Sequence, residues 1–270
     1  VRNLIRQSNV KFIGTTDDPI DTLEWHQKIK ADDSFDVVVA PSWRPDKAMN
    51  IEKPDFADYL VKLAAAAGMD KIANFEDLKA ALANRMDYFN ANGCKVSDHA
   101  LEYVMYAPAT AEEIEAILAK RLSGEAVTRE EELQFKTAFM IYMGKKCNEL
   151  DWGMQLHYGC KRDNNKFMYD KMGPDTGFDC INNYAPSAQL ADFLNALIAT
   201  NELPRTVIYS LNPNDNEAIG TILGCFQDST AVAKIQQGSA WWFNDHKVGM
   251  ENQMISLANL GNLSGFVGML

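Results

Sequence analysis

Asp36-Val-Val-Val-Ala40 runs directly into Pro41-Ser-Trp-Arg-Pro-Asp46, and this passage sets the terms for reading the whole chain. A short unbroken apolar run closed by a Pro-rich polar cluster reads as a strand buried on both faces. A helical pattern follows from about Pro54 to Ala67. The same unit comes before it: Val10-Lys-Phe-Ile-Gly14 leads into Thr15-Thr-Asp-Asp-Pro19 and an amphipathic stretch around Leu23 to Ile29. Further strands are expected at Gly93-Cys-Lys-Val-Ser-Asp-His99, Gly153-Met-Gln-Leu-His157, Thr206-Val-Ile-Tyr-Ser-Leu211, the run from Ala233 to Ile235, and Phe266 to Leu270. A long helix is expected from Asn74 to Asn92.

Seven such units without a hairpin signal predict a parallel sheet covered by helices. Right-handed repeats with polar strand exits point to an α/β fold, a (β/α)8 barrel of the TIM type. An open doubly wound sheet is the other architecture, but no Gly-rich phosphate loop follows any strand. Residues 110–149 are helical throughout. Thr110 with Glu113 and Thr128 with Glu131 are two capping boxes, each a Thr followed three residues later by Glu. The stretch from roughly 104 to 150 is thus a helical insertion in a single barrel domain spanning residues 1–270. The chain opens at Val1 and closes in a strand-like run at Leu270, so it is expected to hold strands two to eight, without the first strand or the end of the last.

The 270 residues are 47% hydrophobic, ample for a full core, and carry 37 acidic against 26 basic residues, a net charge of −11. That balance argues against nucleic acid or an anionic membrane as the main partner. Five scattered cysteines without C-x-x-C spacing read as reduced thiols. No signal peptide or bilayer-long apolar run is present, so the cytoplasm is the expected compartment. A homo-oligomer is compatible with the sequence.

On a parallel barrel the C-terminal strand ends converge on one mouth. Here they read Asp17-Asp18, Trp43-Arg44, Asp98-His99, His157, Asn212, and Trp241-Trp242 with Asn244 and Asp245. Each has a plain alternative: Asp17-Asp18-Pro19 as a cap and turn, Arg44 as a surface arginine stacked on its neighbour, His157 as a buried structural histidine. Of Asp98 and His99, at most one faces the mouth, because adjacent strand residues point opposite ways. His26, within a helical pattern, and His246, in a loop, read as surface residues. The joint pattern of His, Asp, Arg, Asn and Trp at successive exits is that of an active-site mouth. In Gly238-Ser-Ala-Trp-Trp-Phe-Asn-Asp-His246 the adjacent tryptophans cannot both enter one core. Flat aromatic faces beside amide, carboxylate and imidazole groups suit a sugar, although a Trp packed at a barrel rim is the plainer account.

Seven motifs in order carry a family resemblance: Thr15-Thr-Asp-Asp-Pro-Ile-Asp21, Pro41-Ser-Trp-Arg-Pro-Asp46, Gly93-Cys-Lys-Val-Ser-Asp-His99, Met154-Gln-Leu-His-Tyr-Gly159, Gly173-Pro-Asp-Thr-Gly-Phe-Asp179, Tyr209-Ser-Leu-Asn-Pro213 and Gly238-Ser-Ala-Trp-Trp-Phe-Asn-Asp245. Together they resemble the uronate (glucuronate) isomerase family of the amidohydrolase superfamily, from near Arg6 to Leu270. The resemblance implies a metal-binding (β/α)8 barrel that interconverts aldoses and ketoses, D-glucuronate to D-fructuronate and D-galacturonate to D-tagaturonate. It implies a small sugar acid as substrate and a single divalent metal, zinc foremost, with His157 as a ligand.

By the same resemblance, Asp98 and His157 are the catalytic candidates, while Arg44, Trp241, Trp242, Asn212, Asn244 and Asp245 bind substrate. The family's His-x-His pair and its Thr-Asp-Ser-Arg segment are absent from this sequence, so the 270 residues alone are expected to be inactive. Tyr158 stands where the family more often has a small apolar residue, and Asp163 interrupts a run of asparagines; both bear on substrate preference. The rival readings are a metal-dependent hydrolase on the same barrel and a sugar-acid-binding protein without turnover.

Overall fold

The computed structural model describes residues 1–184 and 187–266. The chain divides into two compact units, Val1–Asp98 with Ala107–Gly153, and His99–Tyr106 with the described residues from Met154 onward. In the first unit the elements are α1 (Arg2–Gln7), β1 (Phe12–Gly14), α2 (Glu24–Lys30), β2 (Val38–Ala40), α3 (Asp46–Met49), α4 (Phe56–Ala66), α5 (Phe75–Ala91), the start of β3 (Val96–Ala100), α6 (Ala111–Leu122) and α7 (Arg129–Glu149). β1 and β2 pair in parallel with Phe12 opposite Val38, and the parallel run continues past both strands through single bridges from Asp17 to Trp43 and from Trp43 to Ser97. The strands, shorter than the apolar runs that announce them, are therefore aligned chiefly at their exits.

Trp43 anchors this unit. It has 0% of its surface exposed and packs edge-on against Phe89 at 5.0 Å and against Trp152 at 6.5 Å. α5 turns Leu78, Leu82, Met86 and Phe89 inward at helical spacing, and α7 adds Phe135, Phe139, Met140 and Met143. Trp43 is thus core, not part of a mouth as its place at a strand exit suggested. Cys94 and Cys147 lie in the same core, and burial pushes both thiols up to about 12.

Both expected capping boxes are formed. Thr110 accepts from the Glu113 backbone N–H and Thr128 from that of Glu131, while each glutamate reaches back to its cap. Glu131 also takes Lys120 of α6 at 2.8 Å, which ties the two helices at the turn.

The second unit holds the end of β3, β4 (Gly153–Tyr158, from its second residue), β5 (Cys160–Lys161), α8 (Lys166–Met172), β6 (Cys180–Ile181), α9 (Ser187–Ile198), β7 (Thr206–Ser210), α10 (Asn216–Cys225), β8 (Ile235–Gln237) and α11 (Lys247–Leu260). β4 pairs in parallel with β7, and β7 with β8, each step a strand–helix crossover. β5 and β6 form a small antiparallel pair that brackets α8, an excursion for which the sequence shows no hairpin signal. Of the strand expected at Phe266–Leu270, residues 267–270 lie outside the described residues. Among those described, no helix is long and apolar enough to cross a membrane.

Replacing Thr128 with Ala should lower stability by about 1 kcal/mol, read as a shift of the urea midpoint by circular dichroism. Thiol labelling followed by mass spectrometry should modify the exposed Cys180 and Cys225 first and leave Cys94 and Cys147 unmodified until denaturant is added.

Candidate active site

In the first unit the exits of β1, β2 and β3 carry Asp17-Asp18, Arg44 and Asp98. The Arg44 backbone N–H donates to the Asp17 carbonyl at 3.0 Å, and the Asp98 N–H to the Trp43 carbonyl at 2.8 Å, so the strand alignment dictates where these side chains start. Arg44 Nε lies 3.3 Å from a carboxylate oxygen of Asp98 and of Asp46. Asp98 is buried, whereas the Arg44 side chain keeps 37% of its surface exposed. A partly exposed guanidinium braced by two carboxylates suits planar pairing with an incoming carboxylate. Asp18 is occupied by the fold: it accepts from Tyr59 Oη at 2.7 Å and pairs with Lys47 at 3.0 Å. Burial, with Asp18 alongside, raises the Tyr59 phenol well above its ordinary value.

His26 is not the surface residue that a helical pattern suggests. Its side chain is 11% exposed, and Nε2 sits 2.7 Å from Thr15 Oγ1 and 3.7 Å from Asp17 Oδ2. The hint available in the sequence was spacing: Thr15 and Asp17 end a strand whose loop returns within one helical turn to His26. His246, by contrast, is exposed and caps α11 by accepting from the Gly249 N–H at Nδ1.

In the second unit His157 is buried on β4 and lies flat on Tyr209, with ring centroids 4.2 Å apart and planes 9° from parallel. Trp241 meets it edge-on at 4.8 Å. Tyr209 occupies space that only glycine leaves open, since a Cβ on Gly238 would lie 2.1 Å from Tyr209 Cε1. β8 ends at Gln237, so the tryptophans stand in the loop beyond the strand, with Trp241 extended and Trp242 left-handed at φ 50°. That turn leaves Trp242 40% exposed, stacked on Phe243 at 4.8 Å, with the Arg162 guanidinium 4.9 Å above its ring. Arg162 also pairs with Asp175 at 3.0 Å and Asp179 at 2.9 Å, and so links the β5–β6 excursion to the Trp loop.

Asn212 caps the turn after β7: its Oδ1 accepts from the Asn214 N–H, and its Nδ2 donates to Asn183 and Asp215. Asn244 is buried and donates to the Leu211 carbonyl at 2.8 Å. Asp245 is exposed. Tyr158, one residue on from His157, is buried beside Ser210 and Asp215, and burial raises both the Tyr158 phenol and the Asp215 carboxyl. Neither Tyr209 nor Arg162 stood out in the sequence, because each acts through a partner remote along the chain.

Among the described residues no group of three or more His, Cys, Asp and Glu side chains is placed to hold a metal ion. The described residues therefore do not by themselves make up a metal centre around His157 or elsewhere.

The whole chain, residues 1–270, matches the family model described as glucuronate isomerase. It is 67% identical over 270 residues to a uronate isomerase of Lachnospira eligens, covering 100% of this chain and 58% of that protein. A uronate isomerase of Endomicrobium trichonymphae is 59% identical over 269 residues, covering 100% of this chain and 57% of its own. The crystal structure of a uronate isomerase from Thermotoga maritima superposes with a TM-score of 0.90 at 33% identity, over 100% of this chain and 57% of the other. That of a glucuronate isomerase from Caulobacter crescentus, at 22% identity and a TM-score of 0.86 over 99% of this chain and 54% of that one, shares the fold. The chain thus spans under three-fifths of the length of these relatives, and throughout that span it belongs to the glucuronate isomerase family.

Proposed function

We propose that the protein isomerises hexuronates, converting D-glucuronate to D-fructuronate and D-galacturonate to D-tagaturonate. The observation that carries the reading is the family match over every residue of the chain. We place its parallel strands in a (β/α)8 barrel forming one domain, supported by the parallel pairings of β1 with β2, β4 with β7 and β7 with β8. The cytoplasm is the compartment we assign, with a small sugar acid as partner, neither nucleic acid nor membrane, and a homo-oligomer as the assembly the sequence allows.

The reaction moves a proton from C2 to C1 of the open-chain sugar through a cis-enediol, so the protein must hold the far carboxylate while charge develops at the other end. Arg44 is the residue we assign to the carboxylate. Asp98, 3.3 Å from it, braces the guanidinium and orients a hydroxyl or a water. Trp241, with His157 against its edge, offers the apolar wall on which the C–H face of a sugar rests, and Trp242 and Asp245 supply exposed surface in the same loop. Asn212 and Asn244, both buried and tied to the backbone around that loop, are the further substrate-binding candidates. A single divalent metal, zinc foremost, is the cofactor the resemblance implies, and His157 is its candidate ligand. The described residues do not complete a site for it.

Incubating the intact protein with D-glucuronate should yield ketose in step with aldose loss; binding without turnover would move the assignment to a sugar-acid-binding protein. Turnover should fall after chelator treatment and return with zinc. Changing Arg44 to Lys should raise KM about tenfold, because an ammonium replaces a bidentate fork with a point charge. An unchanged KM would remove Arg44 from the carboxylate.

A further inference from the structure

His26, Thr15 and Asp17 form a part-buried relay that the reaction scheme does not use. Asp17 Oδ2 receives the Thr15 hydroxyl at 2.6 Å and the Ser42 backbone N–H at 3.2 Å. With its proton directed to the carboxylate, Thr15 Oγ1 accepts from His26 Nε2–H at 2.7 Å. The ring's other nitrogen, Nδ1, is buried without a hydrogen-bond partner among the described residues. The contact that holds the imidazole in place is thus the one its Nε2 makes with Thr15.

The approach is enforced from behind. Arg85 donates to the Pro19 and Asp21 carbonyls, each at 2.8 Å, and lies over the Tyr88 ring at 4.3 Å. Leu23, fully buried in a left-handed conformation at φ 54°, then starts α2 and delivers His26 one turn later. At the other end of the relay, Asp17 exchanges backbone bonds with β2's exit: its N–H donates to the Ser42 carbonyl, and its carbonyl receives the Arg44 N–H, both at 3.0 Å.

We propose that His26 is a positioning residue which, through Thr15 and Asp17, sets Arg44 for the carboxylate of the sugar acid. The proposal rests on the assignment of Arg44 to that carboxylate. Without the imidazole, Thr15 Oγ1 loses its donor and its hydroxyl can turn to the Ala40 carbonyl 3.3 Å away, which leaves the Asp17 carboxylate on the Ser42 N–H alone and loosens the side-chain brace on the peptide that aims Arg44. The cost falls on substrate capture, not on proton transfer.

The test is steady-state kinetics of the intact protein on D-glucuronate, each variant checked for a native near-UV spectrum. His26→Ala and Thr15→Val should each raise KM about tenfold with kcat within about twofold of the parent. His26→Gln, whose amide N–H reaches as Nε2 does, and Thr15→Ser, which keeps the hydroxyl, should restore KM. The double variant should be no worse than either single change, as expected for two members of one relay. If Arg44→Lys raises KM while His26→Ala and Thr15→Val leave it unchanged, the relay is overturned and the Arg44 assignment stands. If Arg44→Lys leaves KM unchanged, the Arg44 assignment fails and the relay loses its target. Should His26→Ala not fold, the Thr15→Val and Thr15→Ser pair decides: a raised KM without rescue by serine also overturns the proposal.

Discussion

The strand exits of the first unit are referred to the peptide of Trp43. Its N–H donates to the Val96 carbonyl, its carbonyl receives the Asp98 N–H, and its ring is sealed between Phe89 and Trp152. A buried indole of that size contributes several kcal/mol by area alone, so the strand exits cannot slide without exposing it. Because a one-residue slip would turn every side chain to the opposite face, that single anchor decides that Arg44 and Asp98 meet. Asp17, bridged to the same residue, is fixed in turn. The polar groups stand in place because an apolar one cannot move.

The second unit uses a different constraint, a missing side chain. Tyr209 can lie flat on His157 because Gly238 has no Cβ, and with the ring in place the imidazole is backed on one face and met edge-on by Trp241.

Much of this was legible in the sequence. Apolar runs with polar closures located β1, β2, β3, β4 and β7, and Thr-x-x-Glu spacing located the starts of α6 and α7, because strand burial and helix capping are local and leave a periodic or fixed-offset trace. The β5–β6 pair escaped because two-residue strands carry no period, and α8 between them buries no residue that would pattern it. At the site, Arg44, Asp98, His157 and the tryptophans were visible as chemically unusual residues at strand ends. His26 was not, since its helix gave it the look of a solvent-facing residue, and its role depends on a left-handed Leu23 that no local propensity announces. Tyr209 was hidden for the opposite reason: an aromatic in an apolar strand looks like core, and only the glycine facing it reveals what it supports.

The doubly capped helices have a consequence for how the chain comes into being. α6 and α7 each close their own N-terminus within four residues, and the Lys120–Glu131 pair joins them across eleven positions of sequence. Such short-range contacts have low loop-closure entropy and form on the microsecond scale, long before parallel strands separated by whole crossovers can register. As the chain leaves the ribosome, this helical pair can assemble while β4, which follows it directly, is still being made. Its Phe135 and Phe139 then present a ready apolar face to the Phe56 and Phe75 segments already synthesised, so the most local part of the fold becomes a template for the least local.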